Sequence, residues 1–223
     1  MAQALDDLLD SLEDADDATR EEAAKALAEL ANPATLDALI GACGDEFWSV
    51  RTRAGWGVAK IGGPKAIEAL IVLFNDPIME VRNEAVAAVV SLGAGQLDRL
   101  LAAMKDERWR VREHAAKACG DLHDSGAVDA LIFACRDRDG AVKSAAAEAL
   151  GKIGDPKAIP ALVKLFRDSS KIVRETAGIA LVAIGQPSVD LLLETLKDKD
   201  FVVRCHAARA LGGMTTDYQI GRS

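Results

Sequence analysis

A dipeptide of an apolar or β-branched residue followed by a base returns seven times: Thr19-Arg20, Val50-Arg51, Val81-Arg82, Val111-Arg112, Val142-Lys143, Val173-Arg174 and Val203-Arg204. The successive intervals are 31, 31, 30, 31, 31 and 30 residues. A chain that repeats a unit of about 30 residues buries each unit's apolar face against its neighbours, so the array grows in one dimension. The stretch from Asp155 to Gly185, DPKAIPALVKLFRDSSKIVRETAGIALVAIG, shows the unit most clearly.

Each unit carries two helical periods. Leu stands eleven residues before the dipeptide in every copy (Leu8, Leu39, Leu70, Leu100, Leu131, Leu162, Leu192). It is flanked at offsets of 3, 4 and 7 by further apolar residues, which is the spacing of one helix face. After the dipeptide, Ala recurs four residues on (Ala23, Ala54, Ala85, Ala115, Ala146, Ala177, Ala207) and starts a second period. An Ala at that point predicts close crossing of the two helices. Gly62, Gly93, Gly154 and Gly185 then stop the second helix, with Pro64, Pro156 and Pro187 soon after three of them.

The pattern predicts an all-α, right-handed α-α superhelix of seven two-helix repeats. It forms one solenoid over residues 1–214, with repeats at about 1–31, 32–62, 63–93, 94–123, 124–154, 155–185 and 186–214. Residues 215–223 break the pattern and are expected to fray. An Asp precedes each basic residue by six positions (Asp14, Asp45, Asp76, Asp106, Asp137, Asp168, Asp198). Carboxylate and guanidinium at that spacing are expected to bond along the stack, satisfying loop backbone groups and fixing register. A pair present in every unit is a structural device and not an active site.

These residues resemble the short HEAT-like repeats of the phycobilisome-lyase type, over residues 1 to about 214. The resemblance implies a solenoid whose second helices line a concave face. The family includes bilin lyases and adaptors. Its metal-dependent relative, deoxyhypusine hydroxylase, carries His-Glu pairs at the second helices. The nearest match here is Glu113-His114, in reverse order and alone, with Cys205-His206 elsewhere, which argues against a di-iron site.

Comparing repeats separates the positions the fold dictates from those it leaves open. On a 100° wheel the open ones are −2, −1, +2, +3, +6 and +10, counted from the first residue of the dipeptide. All three tryptophans fall there. The candidate partner-binding surface is therefore Trp48, Thr52, Arg53, Trp56, Met79, Asn83, Trp109, Arg110, His114 and Lys117, an apolar patch ringed by charge, as hot spots are. A second patch at the C-terminal end comprises Ile172, Ile179, Phe201, Val202, His206 and Arg209. It suits a missing cap or self-association. The bland reading of Trp48 and Trp109 is that they brace the preceding turn.

Charge narrows the partner. The net charge is −8, and residues 1–30 hold ten acids against Arg20 and Lys25, so the rest of the chain is neutral. That balance argues against nucleic acid, which calls for clustered bases, and so against a DNA-repair enzyme of this fold. No apolar run reaches the roughly 20 residues of a membrane span, and the acidic N-terminus is unlike a signal peptide, so a cytoplasmic protein is expected. Cys43, Cys119, Cys135 and Cys205 are read as reduced, the first three as small core residues. No catalytic group, cofactor or metal is assigned. The expectation is a non-enzymatic scaffold that binds another protein in the groove. A bilin lyase-like or tetrapyrrole-handling chaperone is the alternative.

Overall fold

The structure, a computed structural model, describes residues 2–93 and 95–220, with side chains described from 4 to 93 and from 95 to 214. Among the described residues there are fourteen α-helices and no strand. The fold is an α-α superhelix built from antiparallel helix pairs. The chain divides into two compact units, one ending at Arg99 and one beginning at Leu100, where the sequence pattern predicts a single array. The division follows Gly93 and Gly95, which take φ of 72° and 111°, backbone that side-chain-bearing residues rarely adopt.

The first unit holds α1 (Ala2–Ser11), α2 (Asp17–Leu30), α3 (Leu36–Ala42), α4 (Trp48–Ile61), α5 (Pro64–Leu73) and α6 (Met79–Ser91). Helix α7 (Leu97–Ala103) carries the division. The second unit continues with α8 (Trp109–Asp121), α9 (Val128–Ala134), α10 (Gly140–Ile153), α11 (Ile159–Lys164), α12 (Lys171–Ile184), α13 (Val189–Thr195) and α14 (Phe201–Ile220). Helix α14 runs past Met214, so residues 215–220 are helical. Met-Thr-Thr-Asp-Tyr-Gln contains neither Pro nor Gly to stop it. Residues 221–223 lie outside the described residues.

Within each unit the second helices of successive pairs pack directly on one another, α2–α4–α6 and α8–α10–α12–α14, and the first helices meet their like much less. The second-helix side of each unit is therefore the tight, inner side. Small residues at +7 and +9 allow it. A Cβ on Gly120 would stand 2.6 Å from the Cα of Ala149, and one on Gly151 would stand 2.8 Å from the Cα of Ala180. The seven Ala residues at +4 are buried to within 2% of complete. Residues Ala31, Gly62, Gly93, His123, Gly154 and Gly185, at one equivalent position, all take φ between 47° and 79°. His123 thus fills a left-handed position that glycine occupies elsewhere.

Four of the bases, Arg20, Arg51, Arg112 and Lys143, bond along the stack to the next loop's Asp. The Nη1 of Arg51 donates to the carbonyls of Asp45 (2.8 Å) and Glu46 (3.0 Å) in its own loop. Its Nε and Nη2 donate to the carboxylate of Asp76 in the next loop, at 2.6 and 2.9 Å. Arg20 repeats this with Asp45, Arg112 with Asp137, and Lys143 reaches Asp168. Each carboxylate also accepts its own loop's backbone N–H two residues on, as Asp45 does from Phe47 at 2.8 Å. Burial alone would raise Asp45, Asp137 and Asp168, but the hydrogen bonds from Arg20, Arg112 and Lys143 hold them below the usual carboxylate range. Cys43, Cys119 and Cys135 are buried, each pushed up to about 12 by that burial, and Cys205 is exposed.

Candidate functional site

In the first unit the open face of the second helices begins with hydrophobes. Trp48 is 45% exposed and Met79 57%, each the first residue of its helix. The residues before them, Phe47 and Ile78, are exposed as well. This second pair was not singled out from the sequence. The signal was present at position −3, where Asp16 and Asp139 stand in other copies and cap their helices through Thr19 N–H and Ala141 N–H. Phe47 and Ile78 have the same extended backbone, φ −92° and −88°, and make no cap. Forgoing an N-cap costs about 1 kcal/mol. The chain thus gives up local stability at two successive helices and exposes four large apolar side chains in its place.

Around this edge the polar residues are tied down. Arg53 Nε donates to Glu21 at 3.3 Å, and the buried Ser49 donates to the other oxygen of Glu21 at 2.6 Å, which joins α4 to α2. Thr52 donates to the Trp48 carbonyl at 3.1 Å. Trp56 is half-buried, and its indole N–H donates to Glu84 at 2.9 Å, so it braces α4 against α6. Asn83 is exposed.

In the second unit Trp109 is 36% exposed, and the Arg110 guanidinium lies 4.8 Å from its ring centre, a cation–π pair. Lys117 is half-buried and donates to Glu113 at 2.7 Å. His114 is corrected: it is 1% exposed, with Nδ1 2.7 Å from the Arg110 carbonyl oxygen, and cannot offer a contact face. Position +3 turns inward on α8, as Ala145 does on α10.

The C-terminal patch is an open apolar surface of this unit. Ile172 is 68% exposed, Ile179 71%, Phe201 69% and Val202 41%. A cleft of about 530 Å³ runs between α12 and α14, with Gly178, Ile179, Val182, Ala210 and Gly213 as its apolar walls and His206, Arg209 and Glu175 as its polar ones. Val182 explains the cleft. It occupies +9, where Gly120 and Gly151 let the next helix close in, and its Cγ2 would stand 3.1 Å from a Cβ on Gly213. His206 stacks on Phe166, ring centres 5.6 Å apart, and burial followed by the charges of Arg174 and Arg209 holds its pKa below the ordinary value. Among the described residues no group of three metal-ligating side chains comes together, and no single helix is long and apolar enough to cross a membrane.

A family model of HEAT repeats matches residues 5–90, 97–182 and 165–220. No curated protein matches the chain. Among solved structures, the complex of CpcE and CpcF of phycocyanin lyase from Nostoc sp. PCC7120 is 25% identical, covering 66% of this chain and 98% of that one, with a TM-score of 0.55. Yeast importin-beta (Kap95p) is 15% identical over 96% of this chain and 35% of its own, with a TM-score of 0.64. A Kap95:Nup1 complex is similar at 15% identity over 96% and 36%, with a TM-score of 0.65. At that identity the likeness to importin-beta is one of fold.

Proposed function

We propose, from the premise that this chain belongs to the HEAT-repeat family, that it is a non-enzymatic scaffold whose second-helix face binds a protein partner. The observation that carries this is the pair of uncapped helix starts. Phe47-Trp48 and Ile78-Met79 hold exposed hydrophobes where a capping Asp stands in α2 and α10. Arg108 and Ser170 also start α8 and α12 without a side-chain cap but are polar, so what sets 47 and 78 apart is an exposed apolar side chain at a position the fold leaves free. Rigid aromatic and Met side chains are what interface centres use. Arg53 and Asn83 border the patch in the first unit, and Trp109 with Arg110 offers a second anchor in the other.

The test is capture from the native host on immobilised protein, followed by titration of the captured partner against Trp48→Ala. Loss of about 2 kcal/mol or more in affinity, with an unchanged melt, is the expected result for a central aromatic anchor. Equal affinity of both proteins for every captured partner would overturn the reading.

The likeness to the phycocyanin lyase complex supports a second reading, a tetrapyrrole-handling chaperone of the phycobilisome-lyase repeat type. Mixing with a bilin decides it. A shifted absorption band favours that reading, and an unchanged spectrum favours the scaffold.

A further inference from the structure

In the repeats of Arg20, Arg51 and Arg112, the Nε–Nη2 edge of the guanidinium holds the carboxylate of the next loop's Asp. Two others are different: Arg82 keeps only its own loop's carbonyls, with its Nε buried and unbonded, and Arg174 opens on the α12–α14 cleft. The Asp that would serve Arg174, Asp198, is taken by Arg167. Arg174 keeps its loop contacts, Nη1 to the carbonyls of Asp168 at 2.6 Å and Ser169 at 2.9 Å. Its Nε donates to Nε2 of His206 at 3.3 Å, a long bond to a neutral ring. Among the described residues no carboxylate lies within ion-pair distance of Arg174. A fork built for a bidentate carboxylate thus faces a placeholder.

His206 is also a wall of the α12–α14 cleft, which Val182 wedges open. At this mouth Arg209 and Lys171 share one carboxylate, Glu175, at 3.4 and 3.7 Å. With Arg174 the site carries three cations against one anion, in a chain whose net charge is −8. The walls below are apolar, and Ile179 stands open beside them.

We infer that the α12–α14 cleft docks a short acidic segment of a partner protein, with a bulky apolar side chain seated on Val182, Ala210 and Gly213. An adjacent carboxylate meets Arg209 and takes the place of His206 on the Arg174 fork. This deepens the scaffold reading by naming the chemistry of one bound segment, and it uses a different unit from the Phe47–Met79 edge.

The test uses the full chain and a fluorescein-labelled heptapeptide alternating Glu and Leu, read by polarisation, with its Glu→Gln counterpart as control. The expected result is saturable binding that weakens tenfold or more in three cases: with the Gln peptide, with Arg209→Ala, and with Ile179→Asp. Trp48→Ala should leave it unchanged. Arg209 and Ile179 are exposed, so both variants fold. Arg174→Lys, which keeps the charge and loses the fork, should weaken binding of the Glu peptide alone. The His206 ring resonances should shift on titration. Equal affinity for both peptides, or no binding at millimolar concentration, overturns the inference and leaves the Trp48 test of the scaffold reading standing. Self-association in sedimentation velocity that is abolished by Ile179→Asp also overturns it, because a second copy would then be the occupant.

Discussion

Arg51 and Asp76 are joined by two hydrogen bonds of 2.6 and 2.9 Å, with side chains only 10% and 5% exposed. Arg51 simultaneously closes its own loop through two carbonyls, so one guanidinium ties two repeats together through four acceptor oxygens. Removing one partner leaves the other buried and uncompensated. Asp76→Asn is therefore expected to cost about 3–5 kcal/mol in urea unfolding. The exposed pair Lys65–Asp37, at 2.9 Å with side chains 67% and 79% exposed, serves as the contrast. Asp37→Asn should cost less than about 1 kcal/mol. Similar losses at both sites would refute the buried ladder as a source of stability.

The contact of Gly120 with Ala149 yields a second test. A Cβ at position 120 would meet the α10 backbone at 2.6 Å, a distance no flexible side chain can relieve. Gly120→Ala must push α8 from α10 and is expected to cost about 1–3 kcal/mol. Gly41, on α3, has nothing within 4 Å of its would-be Cβ. Gly41→Ala should be neutral or stabilising by about 0.5–1 kcal/mol, because alanine loses less backbone entropy in a helix. Paired thermal melts give the comparison.

Acid should act on the loops. The hydrogen bond from Arg108 holds the Asp106 carboxyl down to about 2, from an ordinary value of 3.8. A carboxyl depressed on folding stabilises the native state above its unfolded pKa, and that contribution is lost as pH falls through the folded value. Its share is complete above pH about 4 and gone near pH 2. Asp45, Asp137 and Asp168 are shifted in the same direction. Asp106→Asn should lower stability above pH about 4, where that share is complete, and change little near pH 2, so the acid limb flattens in that window. Because Arg108 is half exposed, the effect should shrink in high salt. An acid limb identical to that of the wild type would contradict this.

Much of the molecule was legible because a repeat makes its own alignment. The helix pairs, the Asp–base ladder and the buried Ala at +4 follow from positions that hold one chemistry in every copy. What escaped was local departure from the pattern. His114 was placed on the open face by its wheel position, yet α8 turns +3 inward beside Arg110. Trp56 read as open, but its indole N–H found Glu84 one helix on, a partner that no wheel of a single helix displays. Phe47 and Ile78 stand at −3, which is not among the open wheel positions, although Asp16 and Asp139 there are caps. The cleft beside His206 depends on Val182 in place of glycine, a difference of volume that a polarity pattern does not register.

The uncapped helix starts give the sharpest separation of stability from function. Phe47 has φ −92° and ψ 124°, close to the φ −84° and ψ 122° of the capping Asp16, so an Asp at 47 needs no backbone change to bond the open N–H groups of α4. Phe47→Asp is expected to raise stability by about 0.5–1 kcal/mol through the cap and the helix dipole. The same change puts a charge at the centre of the exposed Phe47–Trp48 edge, where it should weaken partner binding by tenfold or more. Ile78→Asp should repeat both effects on α6, since Ile78 has φ −88° and ψ 126°. If Phe47 braced the loop as a structural residue, the substitution would lower the melting temperature and leave affinity per folded molecule intact. A higher melting temperature accompanied by lost binding is the signature of a surface kept apolar for a partner at the expense of its own helix.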